Sequence, residues 1–542
     1  MGFLQIVNSQ NSKTIKLIGS DKNETAILQQ LHVEKTIVTD ANFIKKLKLV
    51  RKELDSLGFT DHQIDTIFKT DSIFNITIHL HNPIDNVIIQ HPQSNLFSKT
   101  LKLELIDNNH LTIPFNKVNY FLEGLIAYYQ NNGFPFVEIK LTNIKKKEDL
   151  LFTQLIVNNS VKRTINQIII KGYTDFPKSF IKYELNIAPN ELFDKRKIIQ
   201  TSKKIQNIPF VNEIKKPEIL FKKDSTNLYL YLKKNKSNQF DGLIGFSSSK
   251  EKKAAINGYI NLKLLNTLNY GENFELNWLS DGKQSQNLEL KLETPYFFKS
   301  PFSSQYDFNI FKKDSSFITV SHFLNVNYKL SGNQKIGFII THSQSSNSKT
   351  LISNTNISDF TSTSYGVSYT YIQNYNHAIF KTKFKLESSL LQGKRNNAKQ
   401  NTFDNRIHLL LPLNHNNYFV IKNTSQLLFS DTYFTNEAFR LGGSNSIRGF
   451  DEQSIFSNKY SYFNVDYNHT INDTTFLSVF SDFGYISTPV NSQDYSIYSF
   501  GLGYTTKTPI GFLGIQYSIG NTGNNHFSFN NSKLHLKFSQ FF

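Results

Sequence analysis

The 542-residue chain has no cysteine. That excludes disulfides and cysteine-ligated metal sites, and it leaves the redox compartment unmarked. It also has no run of about 18 apolar residues, so it holds no transmembrane helix. Its 14 histidines are scattered, and none forms a His-x-x-x-His pair on a helical stretch. Neither a Gly-x-Ser-x-Gly elbow nor a phosphate-binding loop is present. No catalytic set survives these absences. The chain reads as a non-enzyme that requires no metal and no cofactor.

Acidic residues are the scarcer charge, 43 against 60 Lys and Arg, for a formal net charge of +17. Such an excess suits an anionic membrane or another polyanion, and it equally suits general surface charge. Nucleic acid is set aside as a partner. Phe and Tyr, with Trp 14% of the chain, are spread through alternating runs with no basic helix or zinc spacing near them. The opening residues, Met1-Gly2-Phe3-Leu4-Gln5-Ile6-Val7-Asn8-Ser9-Gln10, lack the charged start of a signal peptide. Residues 1–10 read either as the remnant of a signal peptide, cut near Ser9 or Gln10, or as an ordinary first strand.

What is present divides into two regimes. Residues 11–236 mix short strands with amphipathic helices. One unit, 11–83, starts on the strand-like Thr14-Ile15-Lys16-Leu17-Ile18-Gly19, has a helix over 42–57 and ends in two β-like runs. The next, 84–162, has Val87-Ile88-Ile89, a helix over 117–130 and two more β-like runs. The third, 163–236, has helices over 178–185 and 194–205 and closes on strands near 219–221 and 228–232. The aromatics that end the long helices, Phe59, Phe134 and Phe210, are 75 and 76 residues apart. Like units at fixed spacing signal a tandem array. Each unit reads β-α-α-β-β. Val118, Phe121, Leu122 and Leu125 fall on one helix face that would cover a small sheet. The free edge of such a sheet accepts an extended peptide; otherwise the units are spacers.

From about residue 240 the period changes to two. Phe463, Val465 and Tyr467 oppose Asn464, Asp466 and Asn468. Tyr498, Phe500, Leu502 and Tyr504 oppose Ser499, Gly501 and Gly503. Leu513, Ile515, Tyr517 and Ile519 oppose Gly514, Gln516, Ser518 and Gly520. Roughly sixteen such runs, apolar on one face and polar or glycine on the other, predict a closed transmembrane antiparallel β-barrel over 237–542. Closure follows because lipid cannot satisfy open backbone groups. A soluble sandwich would also alternate, but some 300 residues do so here with no second core-like block. The chain ends on a strand whose Leu534, Leu536, Phe538 and Phe542 share a face. It reads as a plain last strand or as a signal for barrel assembly, which Gln540 interrupts.

One segment carries more than folding information. Gly442-Gly443-Ser444-Asn445-Ser446-Ile447-Arg448-Gly449-Phe450 lies between two β-like runs and sets one arginine after a Gly-Gly turn. By alternation, Asp466 and Asp482 point to the polar, inward faces of strands that follow. An arginine confined in a lumen is poorly solvated, and carboxylates can hold its planar fork.

With these motifs the chain resembles the bacterial surface antigen superfamily of outer-membrane assembly and translocation proteins. Ile447-Arg448-Gly449-Phe450 matches that family's (V/I)RG(F/Y) loop motif. Phe480-Ser481-Asp482-Phe483-Gly484 matches its aromatic-x-Asp-x-Gly strand. Glu293-Thr294-Pro295-Tyr296 looks like its early Pro-aromatic turn. The resemblance implies α+β POTRA-like repeats followed by the barrel. It also implies that the loop arginine pairs with Asp482 and, in place of the family's glutamate, with the shorter Asp466.

The implied function is assembly of outer-membrane proteins, the number of repeats being closer to TamA than to BamA. Repeats in the periplasm would receive unfolded outer-membrane proteins. A weak seam between the first strand, near 240–247, and the last, 533–542, would template them into the lipid bilayer. Periplasmic chaperones, accessory lipoproteins or an inner-membrane partner would be further partners. A two-partner secretion transporter and a passive porin with a periplasmic binding array are the alternatives.

Overall fold

The computed structural model describes residues 13–541, apart from 33–35, 38–39, 71–72, 93–103, 108, 160, 248–254, 282–284, 314–315, 348–355, 376, 378, 489–493, 509–510 and 524–531. Residues 1–10 and the terminal Phe542 therefore lie outside the described residues. The chain separates into two units: residues 1–167 with 189–198 and 221–226, and residues 168–188, 199–220 and 227–542.

The first unit opens on a four-stranded sheet in the order Thr36–Ile37, Lys13–Gly19, Ile73–His79, Gln63–Lys69. Its two central strands run parallel, with Leu17 opposite Ile76. Alternation buries Phe74, Ile76 and Ile78 on one face. Helices Lys22–Gln30 and Asp40–Ser56 cover that face with Leu28, Val50 and Leu54. Asp21 starts the first helix by accepting from the Glu24 amide at 2.7 Å. The second helix ends where the Phe59 amide donates back to Leu54 O at 3.0 Å, which turns Phe59 into the core.

A second sheet follows in the order Glu104–Asp107, His110–Pro114, Asn86–Gln90, Leu150–Asn158, Glu138–Lys147. The first helix of the expected β-α-α-β-β unit falls on residues 93–103, which lie outside the described residues. Between the first strand and the helix Val118–Asn131, the described residues include a hairpin. In it His110–Pro114 alternates, burying Leu111 and Ile113, and Asp107 accepts from the Asn109 amide at 2.7 Å. Helix Val118–Asn131 buries Phe121, Leu125 and Tyr129 on that sheet. It ends as its predecessor does, with the Phe134 amide donating to Tyr129 O at 3.0 Å.

The second unit contains most of a third module. Strand Thr226–Lys234 lies between Gln167–Lys171 and Val211–Phe221. Leu228, Leu230 and Leu232 are fully buried, and Phe176, Phe180 and Phe210 pack as an aromatic cluster.

Sixteen strands then run from Gln239–Ser247 to Ser532–Phe541, each antiparallel to the last, and close into a barrel. Their faces are inverted relative to a soluble protein. Ser499 is fully buried, whereas its neighbour Phe500 is 54% exposed. Val479, Leu502, Tyr517, Leu534, Leu536 and Phe538 are exposed as well. A sandwich would bury these residues against a second sheet; here they form the outer wall, which suits lipid, and the small polar groups line the lumen. The ring closes narrowly. Among the described residues, first and last strand register only at Gln239 with Phe541 and Phe240 with Gln540. The first and second strands, by contrast, register all the way from Gln239 with Lys263 to Ser247 with Ala255.

Candidate functional site

The site is built on the loop 431–458, which leaves the wall between strands Asn417–Ser430 and Lys459–Asn472. Its first segment is fixed to the wall. Glu437, in the short turn Thr435–Glu437, forms a buried ion pair with Arg395 and accepts from Gln400 Nε2 at 3.0 Å. Arg395 also stacks on Phe434, 3.8 Å from the ring centre. Asn436 is buried and donates to Ser345 Oγ and Ser358 O, both at 2.8 Å. A hairpin of Phe439–Leu441 with Ile455–Ser457 then carries residues 442–450 at its tip.

The tip lies on the inner faces of adjacent strands. Register places Asn464 opposite Asp482, Asp466 opposite Phe480, and Asp482 opposite Ser499. These side chains form one polar and aromatic bed for Arg448. Asp482 is fully buried. Its Oδ2 accepts from the Arg448 amide at 2.8 Å, from Arg448 Nε at 3.0 Å and from Ser499 Oγ at 3.2 Å. Its Oδ1 accepts from Arg448 Nη2, completing a bidentate fork. Asp466 Oδ1 lies 2.6 Å from the same Nη2. This is the one ion-pair contact that Asp466 makes with the guanidinium, against the fork that Asp482 forms. The guanidinium sits 3.6 Å from the centre of the Phe480 ring, at cation–π distance.

The flanking residues set the depth of the arginine. Ile447 is fully buried among Leu441, Tyr460, Tyr462, Ile486 and Ile497. Asn464 Nδ2 donates to Ser446 O at 2.9 Å. Gly449 adopts φ +85°, and a Cβ there would stand 2.4 Å from Gly520 N. Two backbones meet at that point with no room for a side chain. Phe450 packs at the rim of the Ile447 cluster. Gly484 makes room for Tyr462, whose Cβ would lie 2.6 Å from a Cβ at that position.

The structure thus brings Ile447, Arg448, Gly449, Phe450, Asp466, Phe480, Asp482 and Gly484 into one locus. Phe538 is elsewhere, on the outer face of the last strand opposite Leu513. Sequence reasoning missed Ser499, Gly520 and the Arg395–Glu437 pair. Ser499 and Gly520 carry only the signal of being small and inward. Arg395 and Glu437 are 42 residues apart and carry none. Among the described residues, no group of His, Asp and Glu is arranged to hold a metal ion.

Residues 163–235 match the family model of the POTRA repeat, described as the surface antigen variable number repeat. This is a POTRA-and-barrel architecture. The POTRA match covers the third module. CdiB from Escherichia coli is similar at 13% identity over 96% of this chain and 98% of that one, with a TM-score of 0.54. CdiB from Acinetobacter baumannii is similar at 14% identity over 92% and 97%, with a TM-score of 0.51. BamA from Haemophilus ducreyi lacking POTRA domains 1–3 aligns at 15% identity over 83% and 97%, with a TM-score of 0.48. No curated protein matches the chain. The two CdiB likenesses show a shared fold across nearly the whole length of both chains.

Proposed function

We propose that this protein is an outer-membrane assembly factor that templates β-barrel substrates at its own seam. The observation that carries the reading is the narrow closure between Gln239–Ser247 and Ser532–Phe541. Each missing rung of pairing leaves backbone donors and acceptors free to pair with another strand. Gly242 and Gly245 in the first strand weaken it further. A substrate strand adds to the free edge, grows into a sheet and leaves sideways into lipid. In this reading residues 11–83, 84–162 and 163–236 are three POTRA modules in the periplasm that receive the unfolded chain. Chaperones, accessory lipoproteins or an inner-membrane partner deliver it. No step requires a catalytic group, a cofactor or a metal.

Two-partner secretion is the second reading, and the likeness to the two CdiB barrels favours it. The porin reading has less support, because the loop 431–458 is pinned to the inner wall at its first segment and at its tip. Depletion in cells separates the three. A broad loss of barrel proteins from the outer membrane is expected. Loss of a single secreted protein would favour secretion, and altered solute uptake alone would favour the porin. Crosslinking from cysteines placed in the first and last strands to nascent barrel proteins is expected to succeed at both edges. A seam that crosslinks no substrate would sink lateral templating.

A further inference from the structure

The turn after strand Ser285–Thr294 is strained in an unusual way. Tyr296, Phe298 and Lys299 all have positive φ, at 53°, 52° and 55°. Left-handed backbone is disfavoured for residues with a Cβ, and most of all for bulky ones. Three such residues within four positions must be held there by something.

For Tyr296 the holder is visible. Its ring is buried, stacks on Tyr183 and meets the edge of Phe180. Its hydroxyl donates to Glu184 Oε2 and accepts from Lys329 Nζ at 2.7 Å. Burial, with the Glu184 carboxylate next, pushes that hydroxyl far above its usual range, so it stays a donor. Tyr183 OH donates to Lys299 O at 2.8 Å, which fixes the far side of the turn. Phe180, Tyr183 and Glu184 belong to the third module. The turn is therefore one place where that module grips the barrel, beside the contacts of Tyr173 with Asn266 and Asn269.

For Phe298 the described residues offer only the ring of its neighbour Phe297. Phe298 is 92% exposed, on a backbone that glycine or asparagine would adopt more cheaply. Its surroundings point outward. Phe298 contacts Phe297, Phe297 contacts Phe302, and Phe302 contacts Tyr328. Phe302 and Tyr328 lie exposed at the ends of neighbouring wall strands. The aromatic chain is thus continuous with the apolar outer wall. Lys299 and, on the module, Lys178 and Lys182 are exposed, and Lys182 lies over the Tyr183 ring that stacks on Tyr296. Aromatics at the level of lipid headgroups, with lysines above them, are the composition of a membrane–water interface.

We propose that the turn 296–300 is a two-sided anchor: Tyr296 holds the third module, and Phe298 inserts at the bilayer surface. The module is then seated at a fixed height above the membrane. The anchor rests on the reading that the barrel spans a bilayer. Its occupant is a lipid surface, whose apolar boundary supplies what the protein does not.

Because the chain has no cysteine of its own, single-cysteine variants take an environment-sensitive fluorophore at one site. The full chain is reconstituted in phosphatidylcholine vesicles carrying bromine near the headgroup. Phe298→Cys is compared with Leu502→Cys on the outer wall and Asp224→Cys on the exposed module surface. The label at 298 is expected to be quenched by the lipid and to lose most of the iodide quenching seen at 224. A label at 298 that iodide reaches as freely as it does at 224, while the label at 502 is quenched by lipid, overturns the anchor and leaves the barrel reading intact. A label at 502 without lipid quenching overturns both. Should labelled Phe298→Cys fail to fold, Phe298→Trp in a Trp278→Phe background reads the same quenching from its own emission. Lipid quenching of that tryptophan is expected, and its absence would overturn the anchor.

Discussion

Arg448 owes its place to one fully buried carboxylate. Asp482 accepts from the arginine's amide, Nε and Nη2 and from Ser499, whereas Asp466 meets Nη2 alone. Removing one member of a buried pair strands the other, at a cost of about 3–5 kcal/mol. Arg448→Ala and Asp482→Ala are each expected to lower the temperature at which the barrel loses its compact gel mobility, and to lower assembly activity with it. Asp466→Ala should produce a clearly smaller shift. Equal behaviour of the three variants, or wild-type behaviour of the first two, would contradict the hierarchy. Alternation along single strands is enough to turn Asp466 and Asp482 inward, so that pair was legible in the sequence. The contacts of Ser499 and Gly520 were not, because they depend on the register of strands far from the motif.

The loop 431–458 is pinned twice, and the second pin is independent of the arginine motif. Glu437 and Arg395 are both nearly excluded from solvent, and Asn436 binds Ser345 and Ser358 on the wall beside them. Glu437→Ala leaves Arg395 buried without its carboxylate and frees the Phe434 amide that Glu437 also caps. Limited proteolysis of the folded protein in detergent should then cut within 431–437 while the 442–450 tip stays protected. An unchanged cleavage pattern would mean that the tip alone fixes the loop. At this scale periodicity served well where one face is buried: the helix Val118–Asn131 and the barrel strands are both visible as patterns. It did not mark Glu104–Asp107 and His110–Pro114, two short strands that precede the long helix of the second sheet. His110–Pro114 pairs with both Glu104–Asp107 and Asn86–Gln90, contacts that the periodicity of a single strand does not carry.

At the scale of the molecule, the barrel is uneven by construction. Fifteen of its junctions are long ladders, and the sixteenth registers at only two positions among the described residues. The weak junction joins the first and last strands, so it is also where the wall can open without unfolding an interior strand. The sequence showed glycines in the first strand and aromatics in the last, but the extent of their pairing emerges only when all sixteen strands close the ring. The most direct test of the account locks that junction. Cysteines at 239 and 541, which face each other in register, are oxidised to a disulfide in the otherwise cysteine-free chain reconstituted in vesicles. Insertion of an unfolded barrel protein into those vesicles is then timed. Fast insertion in the reduced form, lost on oxidation and restored by a reductant, is the expected result. Equal insertion rates in the oxidised and reduced forms would contradict assembly at the seam.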